Sequence, residues 1–87
     1  MEVGDVFFDK DEDYGVVVRK ESDEDVCLCI FYQDENLTTL IENYMQTVVP
    51  THVEENTPFE ELDRHIQFKV KYILKTFKEE IEECISD

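Results

Sequence analysis

The chain has 87 residues, which limits it to one domain with a small core. It carries 23 Asp and Glu against 8 Lys and Arg, a formal net charge of −15 at pH 7. This charge argues against direct binding to nucleic acid or to an anionic membrane, and the 41% of hydrophobic residues argues against a disordered acidic tail.

The first half alternates short apolar runs with acidic turns, which is typical of a small antiparallel β structure. We predict strands over residues 6–8, 14–20, 26–32 and 37–41, with a short fifth at 45–49. Between residues 37 and 46, Leu37, Leu40 and Ile41 also fit a helical spacing, so a helix over 37–46 remains an alternative.

The second half changes to a helical period. Thr57-Pro58-Phe59-Glu60 combines an N-cap, a proline at the first helical position and a glutamate at the third. Apolar residues then recur at steps of three and four to Cys84, without an intervening Gly or Pro. We predict one helix over residues 58–86, about 43 Å long at 1.5 Å per residue, after a connector at 51–57.

The predicted helix is longer than the strands, which should span ~17–20 Å. Part of its apolar stripe would then need another surface, and a second copy of the chain is the simplest source. We therefore expect a homodimer whose interface contains Ile66, Val70, Ile73, Phe77 and Ile81. The alternative is a shorter helix that lies flat on the sheet and has a frayed end.

The residues that could carry chemistry do not form a recognisable catalytic or metal motif. From Asp9 to Gly15 the calcium-loop spacing fails, because glycine falls one position late and Lys20 stands where a glutamate is needed. Cys27 and Cys29 lack paired partners for zinc and are interpreted as core thiols. There is no serine-centred elbow and no phosphate-binding glycine loop, so we expect neither an enzyme nor a cofactor.

Three cysteines, an odd and small number, suit a reducing compartment better than a disulfide scaffold. The first five residues lack the basic start and apolar run of a signal peptide, and no segment reaches the ~18 apolar residues of a membrane span. These features predict a cytoplasmic protein that does not enter a membrane.

Residues 3–50 resemble a small SH3-like barrel. The resemblance rests on Gly4-Asp5 at the opening of the first strand, on Gly15 in the second and on the succession of short apolar runs to Tyr44. It implies an α+β fold: a small antiparallel SH3-like β-barrel or sheet of four to five strands, followed by one long C-terminal α-helix. Folds of this type host many unrelated binding functions, so the resemblance does not supply one.

Ten acidic residues fall in the three predicted turns and form the candidate partner-binding surface: Asp9, Asp11, Glu12, Asp13, Glu21, Asp23, Glu24, Asp25, Asp34 and Glu35. In charge, size and patterning the chain is similar to the acidic DNA-mimic inhibitors encoded by bacteriophages and mobile elements. That resemblance implies a basic DNA-binding host protein as partner, for example a nucleoid-associated histone-like protein. The alternative is an SH3-like protein–protein interaction module without DNA mimicry.

Overall fold

The computed structural model describes residues 1–21 and 26–83. Five strands form one antiparallel sheet: β1 (Val6–Asp9), β2 (Tyr14–Lys20), β3 (Cys27–Tyr32), β4 (Leu40–Val48) and β5 (Val53–Thr57). The sheet order is β4-β3-β2-β1-β5, and a 3₁₀ turn at Pro50–His52 connects the two edge strands. A second 3₁₀ turn (Phe59–Glu61) leads into helices α1 (Arg64–Thr76) and α2 (Lys78–Glu83). The chain therefore has an α+β fold with an antiparallel sheet and a C-terminal helical segment.

The central strands are buried on both faces, as their apolar runs predict. Alternate side chains point to opposite sides of the sheet, so β2 sends Val16 and Val18 to one cluster and Val17 to the other. The first cluster is shared with the helices through Ile66, Val70, Ile73 and Ile81. The second lies on the opposite face of the sheet and includes Phe7, Val17, Cys27, Cys29, Phe31 and Val48.

The sheet is open, so the expected closed barrel is not what forms. Among the described residues β4 pairs only with β3, and β5 pairs only with β1. Both edge strands contribute to the second cluster, β4 through Ile41 and Val48 and β5 through Val53 alone, but their backbones do not pair. The remainder of β5 is Glu54 to Thr57, which is polar and offers nothing to hold a second edge.

The predicted connector at 51–57 is wrong, because Val53–Thr57 is a strand. It pairs with β1 through Val6↔Thr57 and Phe8↔Glu55. β5 has only one apolar residue, so its sequence shows no period of two, and the strand forms through its pairing with β1.

The two predicted strands at 37–41 and 45–49 are one strand, β4, and the helical alternative for 37–46 is wrong. Asn43 has a left-handed backbone (φ 60°), which interrupts the regular conformation within this strand.

The long helix predicted over 58–86 is also corrected. The chain forms α1 of 13 residues and then the short α2, with a break at Phe77 (φ −98°, ψ 16°). The break allows Ile81 to pack into the same cluster as α1, and the Arg19 guanidinium donates a hydrogen bond to the Ile81 carbonyl. Residue 84 and those after it, which the prediction included, lie outside the described residues.

The helix begins six residues later than the capping box predicts. Asp5 explains the delay, because its buried carboxylate accepts hydrogen bonds from the Phe59 N–H at 3.2 Å, the Asn56 side chain at 3.2 Å and the Glu2 N–H at 2.9 Å. The Phe59 amide, the first after Pro58, is thereby bound to Asp5, and a 3₁₀ turn forms at Phe59–Glu61 where the α-helix was predicted to begin. Gly4 precedes Asp5 with φ 97°, a conformation that favours glycine.

The residues predicted for a dimer interface lie within the fold of one chain. Ile66, Val70, Ile73 and Ile81 are buried against the sheet, and Phe77 is half-buried beside them. With 13 residues α1 is about 20 Å long, which matches the strands. The apolar stripe is therefore covered without a second copy, and the argument from helix length no longer supports a homodimer.

Candidate protein-binding surface

The β1–β2 turn is organised by Asp9. Its side chain is only 3% exposed, and one carboxylate oxygen accepts the N–H groups of Asp11 at 3.0 Å and Asp13 at 2.9 Å. Glu12 has a left-handed backbone (φ 65°) at the tip. Asp9 therefore shapes the turn and does not belong to the exposed binding surface on which it was predicted to lie.

The other acidic residues of this turn face outward to different degrees. Asp11 and Glu12 are exposed, and the Asp11 carboxylate lies 3.0 Å from Nε2 of His52. Asp13 is half-buried, and this burial together with the nearby carboxylates of Asp9, Asp11 and Glu12 raises its pKa. The turn is a site of concentrated negative potential, which favours contact with a cation.

The β3–β4 turn has a similar organisation around Asp34. One of its oxygens accepts the N–H groups of Thr38 at 3.0 Å and Thr39 at 2.9 Å, and the other accepts that of Asn36 at 3.2 Å. These hydrogen bonds, led by the one from Thr39, hold the pKa of Asp34 below its usual value. The neighbouring Glu35 is exposed and makes no side-chain hydrogen bond to a described residue.

Glu21, at the end of β2, is engaged with its own chain. Its carboxylate lies 2.8 Å from the Arg19 guanidinium, and it is only partly exposed. The other three acidic residues predicted for this turn, Asp23, Glu24 and Asp25, lie outside the described residues.

The two acidic turns lie at the same end of the sheet. The register pairs Tyr14, which follows the first turn, with Tyr32, which precedes the other. Lys20 pairs with Cys27, so the end of β2 and the start of β3 lie at the opposite end. The exposed carboxylates that the structure brings together at one end are therefore those of Asp11, Glu12 and Glu35, with Asp13 beside them.

A cavity of about 300 Å³ opens at this acidic end, between the sheet and the start of α1. We call it the acidic cavity. Its walls include the rings of Phe8 and Tyr14, and its carboxylates come from Glu35, Glu55, Glu61 and Asp63. Only Glu35 was among the predicted residues. The other three lie in the segments predicted as connector (51–57) and helix (58–86), and no sequence pattern indicates that the four are close together.

A second cavity, of about 410 Å³, is lined by residues that include Asp9, Asp13, His52 and Val48. At its edge Asp9, Asp11 and His52 offer carboxylate and imidazole ligand atoms that lie within 4.8 Å of one another. These groups could hold a divalent cation. The sequence gives no sign of this cluster, because His52 is 41 residues from Asp11.

Cys27 and Cys29 are buried core thiols, and burial raises the pKa of Cys29 well above its ordinary value.

The outward face of α1 has a different character. Phe68 and Tyr72 are 74% and 63% exposed and lie one helical turn apart. Arg64, Lys71 and Lys75 are on the same helix, and no described carboxylate lies within 4.0 Å of these three bases. Basic residues are therefore concentrated on the helix, and an uncovered aromatic pair lies among them.

Comparison with known proteins gives no relative: no family model, curated protein or solved structure matches the chain significantly. Within residues 1–21 and 26–83, no helix combines the length and the apolar character that a membrane span requires.

Proposed function

We propose that this protein is an acidic DNA mimic that binds and inhibits a basic DNA-binding protein. The observation that carries the proposal is the density of net charge. The chain has a net charge of −15, and four of its acidic residues lie outside the described residues. The described part therefore carries a net charge of −11 along a longest axis of 35 Å, or one net charge per roughly 3.2 Å, against one per ~1.7 Å along duplex DNA.

The arrangement of the acidic residues supports the same proposal. Asp11, Glu12 and Glu35 project from rigid turns, because Asp9 and Asp34 fix the backbone of each turn through hydrogen bonds to its amides. Because the backbone of each turn is already held, chiefly the side chains lose conformational entropy when the carboxylates meet a basic surface. Counterions released from both surfaces would then favour the complex, as they do on DNA.

The proposal is tested by immobilising the protein and capturing partners from bacterial lysate, with and without competing duplex DNA. Retained DNA-binding proteins should elute with duplex. If the interface contains four ionic contacts, affinity should fall about 100-fold between 50 and 200 mM salt. Partners that remain bound in the presence of both salt and duplex would contradict mimicry.

Two matched triple variants locate the surface. The first neutralises the acidic end: Asp11→Asn, Glu12→Gln and Glu35→Gln. The control removes the same charge from exposed positions of α2: Glu79→Gln, Glu80→Gln and Glu83→Gln. The first variant should lose most of the captured partner and the second should retain it, because Arg19 holds α2 toward the opposite end of β2. Equal losses would mean that only net charge matters.

A second candidate function, an SH3-like interaction module, is favoured by the exposed pair Phe68 and Tyr72. Phe, Tyr and Arg are enriched at protein interfaces. Binding of this kind would depend weakly on salt and would be lost in a Phe68→Ser/Tyr72→Ser variant. The strand order, with a 3₁₀ turn between β4 and β5, is compatible with an opened SH3-like sheet for either function.

A further inference from the structure

The acidic cavity combines an apolar interior with a charged rim. Phe8 and Tyr14 face each other across β1 and β2 with ring centroids 5.0 Å apart and planes tilted by 51°. Leu62 and Ile66, from the start of α1 and the segment before it, form the helical side. The volume of about 300 Å³ is at the lower end of the range for small-ligand pockets.

The rim carries four carboxylates that the fold leaves without partners. Glu35, Glu55, Glu61 and Asp63 come from four separate segments: the β3–β4 turn, β5, the 3₁₀ turn and the residue before α1. None makes a side-chain hydrogen bond or an ion pair with another residue in the described part of the chain. Four acidic groups around one opening repel each other, and a cation placed among them relieves that repulsion.

The shape and lining of the cavity distinguish between kinds of cation. A divalent metal ion needs several oxygen ligands at 2.0–2.6 Å, and within the described residues the three-ligand cluster close enough for this is Asp9, Asp11 and His52, outside the acidic cavity. Aromatic and aliphatic walls instead suit a ligand with an apolar stem and a charged head. Lysine and arginine side chains have this form, since they lay their methylene groups on apolar surface and keep the charge at the rim.

We propose that the acidic cavity binds the lysine or arginine side chain of a basic protein. The methylene stem packs against Leu62 and the two rings, and the charged head lies among the rim carboxylates and near the ring faces, where a cation–π contact adds to the attraction. This inference rests on the proposed function, because it names the group of the basic partner that the acidic end receives.

The test is an NMR titration of the labelled protein with three capped amino acids: N-acetyl-lysine methylamide, N-acetyl-arginine methylamide and N-acetyl-norleucine methylamide. Norleucine keeps the apolar stem of lysine and lacks the charge. The lysine and arginine probes should shift the ring signals of Phe8 and Tyr14 saturably, with dissociation constants in the millimolar range, and norleucine should not. Equal shifts from norleucine, or shifts spread evenly over all acidic residues, would overturn the inference.

Two variants with the same charge change complete the test. Glu55→Gln/Glu61→Gln removes two rim charges, and the control Glu42→Gln/Glu79→Gln removes two exposed charges on the far sheet edge and on α2. The rim variant should bind the lysine probe roughly three- to thirtyfold more weakly, as expected for two partly exposed ion pairs, and the control should bind as the wild type does. Unchanged backbone spectra establish that both variants are folded.

The outcomes separate this inference from the proposed function. If the charged probes bind in the cavity but no partner captured from lysate is displaced by duplex DNA, the cavity assignment stands and DNA mimicry fails. If a captured DNA-binding protein elutes with duplex but binds the Glu55→Gln/Glu61→Gln variant as tightly as the wild type, mimicry stands and the cavity assignment fails.

Discussion

Replacing Gly15 by alanine should destabilise the fold, because the ring of Phe7 lies directly over this glycine. The two residues are cross-strand partners, and a Cβ on Gly15 would lie 2.2 Å from Cζ of Phe7 and 2.7 Å from its Cε atoms. The ring cannot move away freely, since Phe7 is 1% exposed and its edge contacts Phe31 at a centroid distance of 5.7 Å.

The expected magnitude follows from two opposing terms. Overpacking a core typically costs about 1–3 kcal/mol, and a contact this short belongs at the upper end. Alanine normally gains about 0.5–1 kcal/mol over glycine inside a strand. Gly15→Ala should therefore lower the free energy of unfolding by about 2 kcal/mol, which in a domain of this size lowers the Tm by about 8–16 °C.

Urea and thermal unfolding followed by circular dichroism provide the measurement, in wild-type and Phe7→Leu backgrounds. Once the ring is shortened, Gly15→Ala should be neutral or stabilising, so the two changes should show a coupling energy of about 2 kcal/mol, within the range for residues in contact. A Gly15→Ala protein as stable as the wild type, or one equally destabilised in both backgrounds, would refute the packing argument.

Three further predictions concern the turns and the thiols. Hydrogen bonds from Thr39 and its neighbours lower the pKa of Asp34. The ionised carboxylate therefore stabilises the fold above the unfolded-state pKa, and this contribution is lost as the pH falls. Asp34→Asn should lower the free energy of unfolding in urea at pH 7, and the difference from the wild type should shrink below pH ~4. Burial and adjacent carboxylates raise the pKa of Asp13, so Asp13→Asn should stabilise at pH 7, and a lower urea midpoint there would contradict this. In a Cys84→Ser variant, buried Cys27 and Cys29 should react with a thiol reagent only as fast as the protein unfolds, and rapid labelling of the native protein would show that these thiols are accessible.

The buried strands could be predicted from the sequence because their side chains carry the signal themselves. β3 is apolar throughout, and the structure buries all six of its residues. β5 could not be predicted, since Glu54, Glu55 and Asn56 have no strand pattern and become a strand only through pairing with β1. The break at Phe77 has no Gly or Pro to mark it, and it reflects packing of Ile81 onto a core formed by distant residues.

The candidate surface also has features that could be predicted from the sequence and features that could not. That Asp9 and Asp34 bind their own turn amides could have been foreseen, because an aspartate at the start of a turn commonly accepts N–H groups two or more residues later. The acidic cavity could not have been foreseen. Its carboxylates come from segments as far apart as Glu35 and Asp63, and they meet only because β5 returns along β1 before the chain enters α1.

The central claim, that the acidic end replaces DNA on a basic protein, is tested most directly by competition. A fluorescent 20-base-pair duplex would be bound to the DNA-binding protein captured from lysate, and this acidic protein would then be added at constant ionic strength. The anisotropy should fall to that of the free duplex, and the Asp11→Asn/Glu12→Gln/Glu35→Gln variant should require far higher concentrations. Anisotropy that stays constant or rises, as it would in a ternary complex, would contradict DNA mimicry.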